Sequence, residues 1–198
     1  TISCTLTATD AQGESIESIA AVEIENRLPT LNAISITPNT GVTTTSTLLC
    51  EADATEPDAD SYTLSYAWTQ NGQLVGTNQG LTLSPNGYSP ADVIACEATI
   101  TDPQGDSDSA TATVTIENTL PVIDSFAITP STGIITDSIL DCAAMASDAD
   151  NQSLSISYLW TNTSTGATLG SDAQLTLSNT IVSPTDNLSC SVTVSDPS

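Results

Sequence analysis

A chain that repeats itself at a fixed period must fold as copies of one unit, each stacked on or tethered to the next. Here a shift of 92 residues places Asn26 on Asn118, Pro29 on Pro121, Cys50 on Cys142 and Trp68 on Trp160, with about two in five positions identical between Pro29 and Thr69. Ile36-Thr37-Pro38 returns as Ile128-Thr129-Pro130, Ser65-Tyr66-Ala67-Trp68-Thr69 as Ser157-Tyr158-Leu159-Trp160-Thr161, and Gly41 as Gly133. Register slips by two residues only before Cys190. The opening residues match the end of the following repeat: Cys4 falls on Cys96, and Ile24-Glu25-Asn26 on Ile116-Glu117-Asn118. The expected division is therefore the last two strands of a preceding domain (1–26), a complete domain (27–118) and a domain short of its last strand (119–198). Both ends are expected to lie inside a longer array.

Within 27–118, apolar and polar residues alternate between clusters of Gly, Pro, Asn and Asp, which is the pattern of half-buried strands and turns. Ala, Val, Ile and Leu supply most of the apolar content and aromatics only 4% of it all, with Thr and Ser filling the wet faces. Seven strands are expected, near 30–37, 45–53, 62–70, 73–77, 81–84, 92–101 and 109–117. Asn71-Gly72 and Asn86-Gly87 tolerate positive φ and favour tight reversals. The fold class is all-β, with no helix required.

The second, third and sixth of these strands carry Cys50, Trp68 and Cys96, and the same Cys, Trp, Cys order recurs as Cys142, Trp160 and Cys190. This resembles the immunoglobulin fold, tandem Greek-key β-sandwiches of about seven strands per domain. The resemblance implies disulfides Cys50 to Cys96 and Cys142 to Cys190, with Trp68 and Trp160 packed on them in the core. It also makes Cys4 the equivalent of Cys96, with a partner expected before Thr1; five buried free cysteines in a cytosolic protein is the competing reading. Ile94 and Leu188 stand where antibody-like domains place the corner tyrosine. With Trp-Thr at 68–69 and Cys-x-x-Thr-x-x-Asp-Pro at 96–103 and 190–197, the chain more closely resembles bacterial Ig-like and polycystic-kidney-disease-like (PKD-like) repeats of large surface proteins. That resemblance implies an extracellular, cell-surface or secreted location, where the bridges stay oxidised.

Twenty-four Asp and Glu face one basic residue, Arg27, and no His, for a net charge of -23. Polyanions are repelled, which argues against nucleic acid and anionic membrane as partners. No apolar run of spanning length occurs, so no membrane insertion of this segment is expected. Without imidazole, lysine or a cationic clamp, catalytic arrangements fail early, and paired carboxylates without an aromatic platform make a poor glycosidase. The chain is read as no enzyme.

The acids cluster in two loops that this topology puts at one end of the sandwich, beside the incoming linker 25–29. Asp53, Glu56, Asp58 and Asp60 lie between the second and third strands, and Asp102, Asp106 and Asp108 between the sixth and seventh, with Asn26 in the linker. The next junction has Glu117 and Asn118, Asp148 and Asp150, and Asp196. Ca2+ takes six to eight hard oxygens, and such a junction resembles the Asn-and-Pro linkers of cadherins; Ca2+ between domains is the one cofactor this sequence points to. The alternative is that these acids make turns and keep the protein soluble. Asn151, Asn162 and Asn187 begin glycosylation triplets, absent from the first repeat.

The leading functional expectation is a structural repeat of an extracellular fibre, filament, stalk or adhesin, giving length, stiffness and surface attachment, with neighbouring Ig-like domains of the same or another copy as partners. Pro29 and Pro121 restrict the entry to each domain. A variant has another copy lend a strand like 15–25 to the last sandwich. The alternatives are a calcium- or carbohydrate-binding sandwich with a glycan or surface ligand at its loops, and a spacer in a larger secreted enzyme.

Overall fold

The computed structural model describes residues 1–197, and these contain strands and turns with no helix. Strands β1 (Ile2–Thr9) and β2 (Ser15–Val22) form an antiparallel hairpin in full register, from Ile2 opposite Val22 to Thr9 opposite Ser15. The first sandwich packs a three-stranded sheet of β3 (Thr30–Thr37), β4 (Thr47–Thr55) and β7 (Gly80–Thr82) on a four-stranded one. That second sheet runs β6 (Gln73–Gly76), β5 (Thr63–Gln70), β8 (Val93–Thr101), β9 (Ser107–Thr115). The second sandwich repeats the plan. Strands β10 (Val122–Thr129), β11 (Ile139–Ser147) and β14 (Gln174–Thr176) form one sheet, and β13 (Ala167–Gly170), β12 (Ser155–Asn162) and β15 (Leu188–Ser195) the other.

The period-two pattern explains which faces meet. On β8, Ile94, Cys96, Ala98 and Ile100 are buried while Val93 and Glu97, on the opposite face, are exposed. Leu48 and Cys50 do the same from β4 across the core. Cys50 and Cys96 are bridged, as are Cys142 and Cys190, with Cα atoms 6.4 and 6.5 Å apart. Trp68 sits opposite Cys96 in the ladder and Trp160 opposite Cys190, and neither indole is exposed. Each indole N–H finds a carbonyl: Trp68 Nε1 donates to Asn78 O at 2.9 Å and Trp160 Nε1 to Asp172 O at 3.0 Å. A buried Trp is tolerated only with that partner.

The corner positions are apolar for a visible reason, since Ile94 is wholly inside the first core and Leu188 packs on the second. Tyr66 and Tyr158 likewise lean on the cores and form no exposed platform. Cys4 lies on β1 opposite Ala20, just as Cys96 lies opposite Ala112, and its thiol is exposed and free.

In the first sandwich every strand but β3 differs from expectation by one or two residues at an end. β4 begins at Thr47 because 43–46 close a turn, with Ser46 N donating to Thr43 O and Thr43 N to Ser46 Oγ. β9 ends at Thr115, yet Ile116 continues the pairing: its N–H goes to Asp92 O, and its carbonyl accepts from Ala91. Asn71-Gly72 makes the expected reversal, both with positive φ. Asn86-Gly87 does not. It belongs to a helical-type turn in which Gly87 and Tyr88 both donate to Ser84 O, because β7 and β8 lie in different sheets and cannot be joined by a hairpin.

The bridge in the first sandwich closes a separation of 46 residues. In the chain-entropy account that amounts to about 4 kcal/mol. Replacing Cys50 and Cys96 together by Ala is expected to lower the unfolding free energy of that sandwich by about this amount in urea denaturation, while the transition of the second sandwich stays in place.

Candidate functional site

Most of the candidate residues gather where one repeat hands over to the next. At the first junction the linker residue Asn26 donates through Nδ2 to Asp102 Oδ2 at 2.8 Å and Asp106 Oδ2 at 2.9 Å. The other oxygen of Asp102 accepts the amides of Gln104, Gly105 and Asp106, so one carboxylate builds the β8–β9 turn and receives the linker. Its neighbour Arg27 binds the β4–β5 loop: its amide donates to Asp58 Oδ2 at 2.7 Å and its Nε to Asp58 Oδ1 at 2.8 Å, and its Nη2 reaches Pro57 O. This is the one salt bridge among the described residues, and its guanidinium is largely exposed.

The second junction uses the same places in the repeat. Asn118 Nδ2 donates to Asp196 Oδ2 at 3.1 Å, and Thr119, where Arg27 stood, donates from N and Oγ1 to Asp150 Oδ2, both at 2.7 Å. Here the contact extends to the body of the preceding sandwich. Thr44 Oγ1 donates to Asp150 Oδ1 at 2.5 Å, and Asn151 Nδ2 to Asn86 Oδ1 at 3.2 Å. Thr44 is completely buried and Asp150 nearly so. Both oxygens of Asp150 are thus engaged, one by the linker and one by the domain before it.

The remaining candidate acids have local partners. Glu56 Oε2 accepts the amides of Asp58 and Asp60, Asp60 accepts from the Gln104 amide at 3.3 Å, and Asp148 Oδ1 accepts the amides of Asp150 and Gln152. Asp53 stands apart on the exposed face of β4, 3.5 Å from Asn32 Nδ2, and Asp108 accepts the Leu31 amide. Among the described residues no three acidic, Cys or His side chains assemble a cation cage. Thr44, Asn86 and Thr119 had no sequence signal, since Thr44 sits in the run Thr43-Thr44-Thr45-Ser46 and its partner lies in another domain. Of the glycosylation triplets, Asn162 is closed off and donates to Asp186 Oδ2 at 2.7 Å, whereas Asn151 and Asn187 are exposed.

Hydrogen bonds lower the pKa values of Asp58, Asp102 and Asp150. The amide and side chain of Arg27 hold Asp58 below the usual carboxylate range. Burial pushes Asp102 up, but donors from Asn26, Asp106, Gly105 and Gln104 outweigh it and hold the group low. Burial likewise pushes Asp150 up, and hydrogen bonds from Thr44 and Thr119 outweigh it and hold the group low. Depressed folded values mean that the ionised junctions stabilise fully above the unfolded pKa of about 3.9, and that this contribution disappears as pH falls through the lower folded values. Calorimetry from pH 7 down to about 2.5 should show a flat melting temperature to near pH 5 and then a steep fall; D102N should be less stable at pH 7 and fall less steeply.

Residues 26–115 match the family model of the Bacterial Ig domain, a span that starts at Asn26 of the first junction. A solved structure of three N-terminal domains of the bacteriophage RB49 Highly Immunogenic Outer Capsid protein (Hoc) is 17% identical, with 96% of this chain and 70% of that one covered at a TM-score of 0.37. No curated protein matches.

Proposed function

We propose that this chain, with its Bacterial Ig domain over residues 26–115, is a structural spacer of an extracellular or cell-surface array, in which each linker is clamped to the domain it enters. The observation that carries the reading is the repetition of the clamp. Asn26 and Asn118 both bind an acid of the sixth-to-seventh-strand turn or its equivalent, and the residue that follows binds Asp58 or Asp150 through its backbone amide. Two bonds from adjacent linker residues to two different loops leave the linker little freedom to swivel, which is what an array needs in order to hold its reach. The bridges favour an oxidising compartment, and the charge of -23 keeps neighbouring copies apart in solution. With no His and no Lys the chain has neither an imidazole base nor an amine nucleophile, which supports a role without catalysis.

Solution scattering tests this. The wild-type chain is expected to give an elongated particle with a well-defined maximum dimension. D58A with D102A frees the first junction and D150A with D196A the second, so each pair should broaden the distance distribution while disulfides and strand content stay intact. A wild-type chain already as flexible as the variants would sink the reading.

A further inference from the structure

Strands β8 and β15 are each entered through a corner built around one carboxylate. Asp92 stands four residues before Cys96, and Asp186 four before Cys190. Asp92 Oδ2 accepts the Ser89 amide at 2.8 Å and Gln70 Nε2 at 2.6 Å, and its Oδ1 accepts Asn71 Nδ2 at 2.7 Å. Asp186 Oδ2 accepts the Ser183 amide at 2.8 Å and Asn162 Nδ2 at 2.7 Å. The residue before each acid has a left-handed backbone although neither is glycine: Ala91 has a φ of 70° and Thr185 one of 79°. That conformation is disfavoured for both, and most for a β-branched threonine, so it persists only where neighbouring bonds impose it. The carboxylate supplies such bonds by tying the turn ahead of it to the far end of β5 or β12. Ile94 and Leu188 being apolar, an acid two residues earlier closes the corner.

In the first sandwich this corner lies at the end that faces the second. Gln70 Nε2 also donates to Gly87 O at 3.0 Å, so segment 84–91 is held at two points. That segment presents Asn86, whose Oδ1 accepts Asn151 Nδ2 of the next sandwich. Ala91 N donates to Ile116 O and Ile116 N to Asp92 O, which fixes where the chain leaves for linker residues Asn118 and Thr119. Glu117 carries the tie onward: its amide donates to Val42 O, and its Oε1 accepts the Gly41 amide at 2.9 Å. Thr44, buried against Asp150, follows directly on those residues. Burial pushes Asp92 up, but the bonds from Ser89, Asn71 and Gln70 outweigh it and hold the carboxylate below its ordinary range.

We infer that Asp92 is a positioning residue for the joint: without touching the second sandwich, it holds segments 84–91 and 116–117, on which that sandwich is seated. The inference rests on the reading of the chain as a spacer with fixed joints and adds the residue that sets their angle. Asp186 is the internal control. It closes the same corner in the second sandwich, but β12 runs from Ser155 beside the joint to Asn162 at the corner, so this acid stands at the opposite end. Its loss costs that sandwich stability and leaves the joint as it was.

Residual dipolar couplings of the full, isotope-labelled chain, alongside thermal unfolding, decide it, since each sandwich reports its own alignment. The wild-type sandwiches are expected to share one alignment tensor. D92A should keep the Cys50–Cys96 bridge and the strands of the first sandwich but lose the shared tensor. D186A should lower the melting temperature of the second sandwich and leave the tensor shared. Q70L spares the carboxylate, removes both bonds of the Gln70 amide and should separate the tensors in the same sense. A tensor that stays shared in D92A, or in Q70L where D92A does not fold, would overturn the inference and leave the spacer reading intact, as would tensors separated by D186A. Separate tensors in the wild type would overturn both.

Discussion

The packing of a buried tryptophan against an inter-sheet disulfide is the interaction on which each sandwich depends. Trp68 lies beside Cys96 on the neighbouring strand, and Cys96 is tied across the core to Cys50. This fixes how far apart the two sheets stand and in which register β5 runs along β8, and so where the loops at their ends emerge. Those loops carry Asp58 and Asp102. The clamp on the linker is therefore a consequence of the core: with the sheets free to slide, the two acids would not face adjacent linker residues. The same chain of dependence, from Trp160 and Cys142–Cys190 to Asp150 and Asp196, operates one repeat later.

A chain with 24 acids and one base cannot neutralise itself with ion pairs. It uses backbone amides and side-chain amides instead. Asp102 gathers three backbone N–H groups and the Asn26 amide, and Asp92 takes the Ser89 N–H with Gln70 and Asn71. Charge-assisted hydrogen bonds of this kind are short and stronger than neutral ones. They also lie within a domain or across its linker, so each acid that builds a turn strengthens the local fold while its charge still faces outward against other molecules.

Much of this was legible in the sequence because it followed from period and order. Strand β3 spans 30–37 as the alternation required, and the paired bridges follow the Cys, Trp, Cys spacing. Convergence of Asn26 with Asp102 and Asp106 was readable too, since the topology brings those loops to the linker. What escaped depended on geometry that no local pattern encodes. The contact of Thr44 with Asp150 requires two domains to be placed against each other, and the shared donors at 27 and 119 are backbone amides, which residues as different as Arg and Thr both supply. The turn at 86–87 was misleading because Asn-Gly says that a reversal is easy, not that the flanking strands share a sheet.

Arg27 has one more consequence. A protease that cuts only after basic residues has a single target in this chain, the Arg27–Leu28 bond, and it lies in the linker of the first junction. To enter such a protease's specificity pocket the guanidinium must leave Asp58 and Pro57, and the backbone around it must extend away from the loop. Digestion at that bond therefore tracks how often the clamp lets go, and the one scissile position becomes a built-in reporter of how often this joint opens.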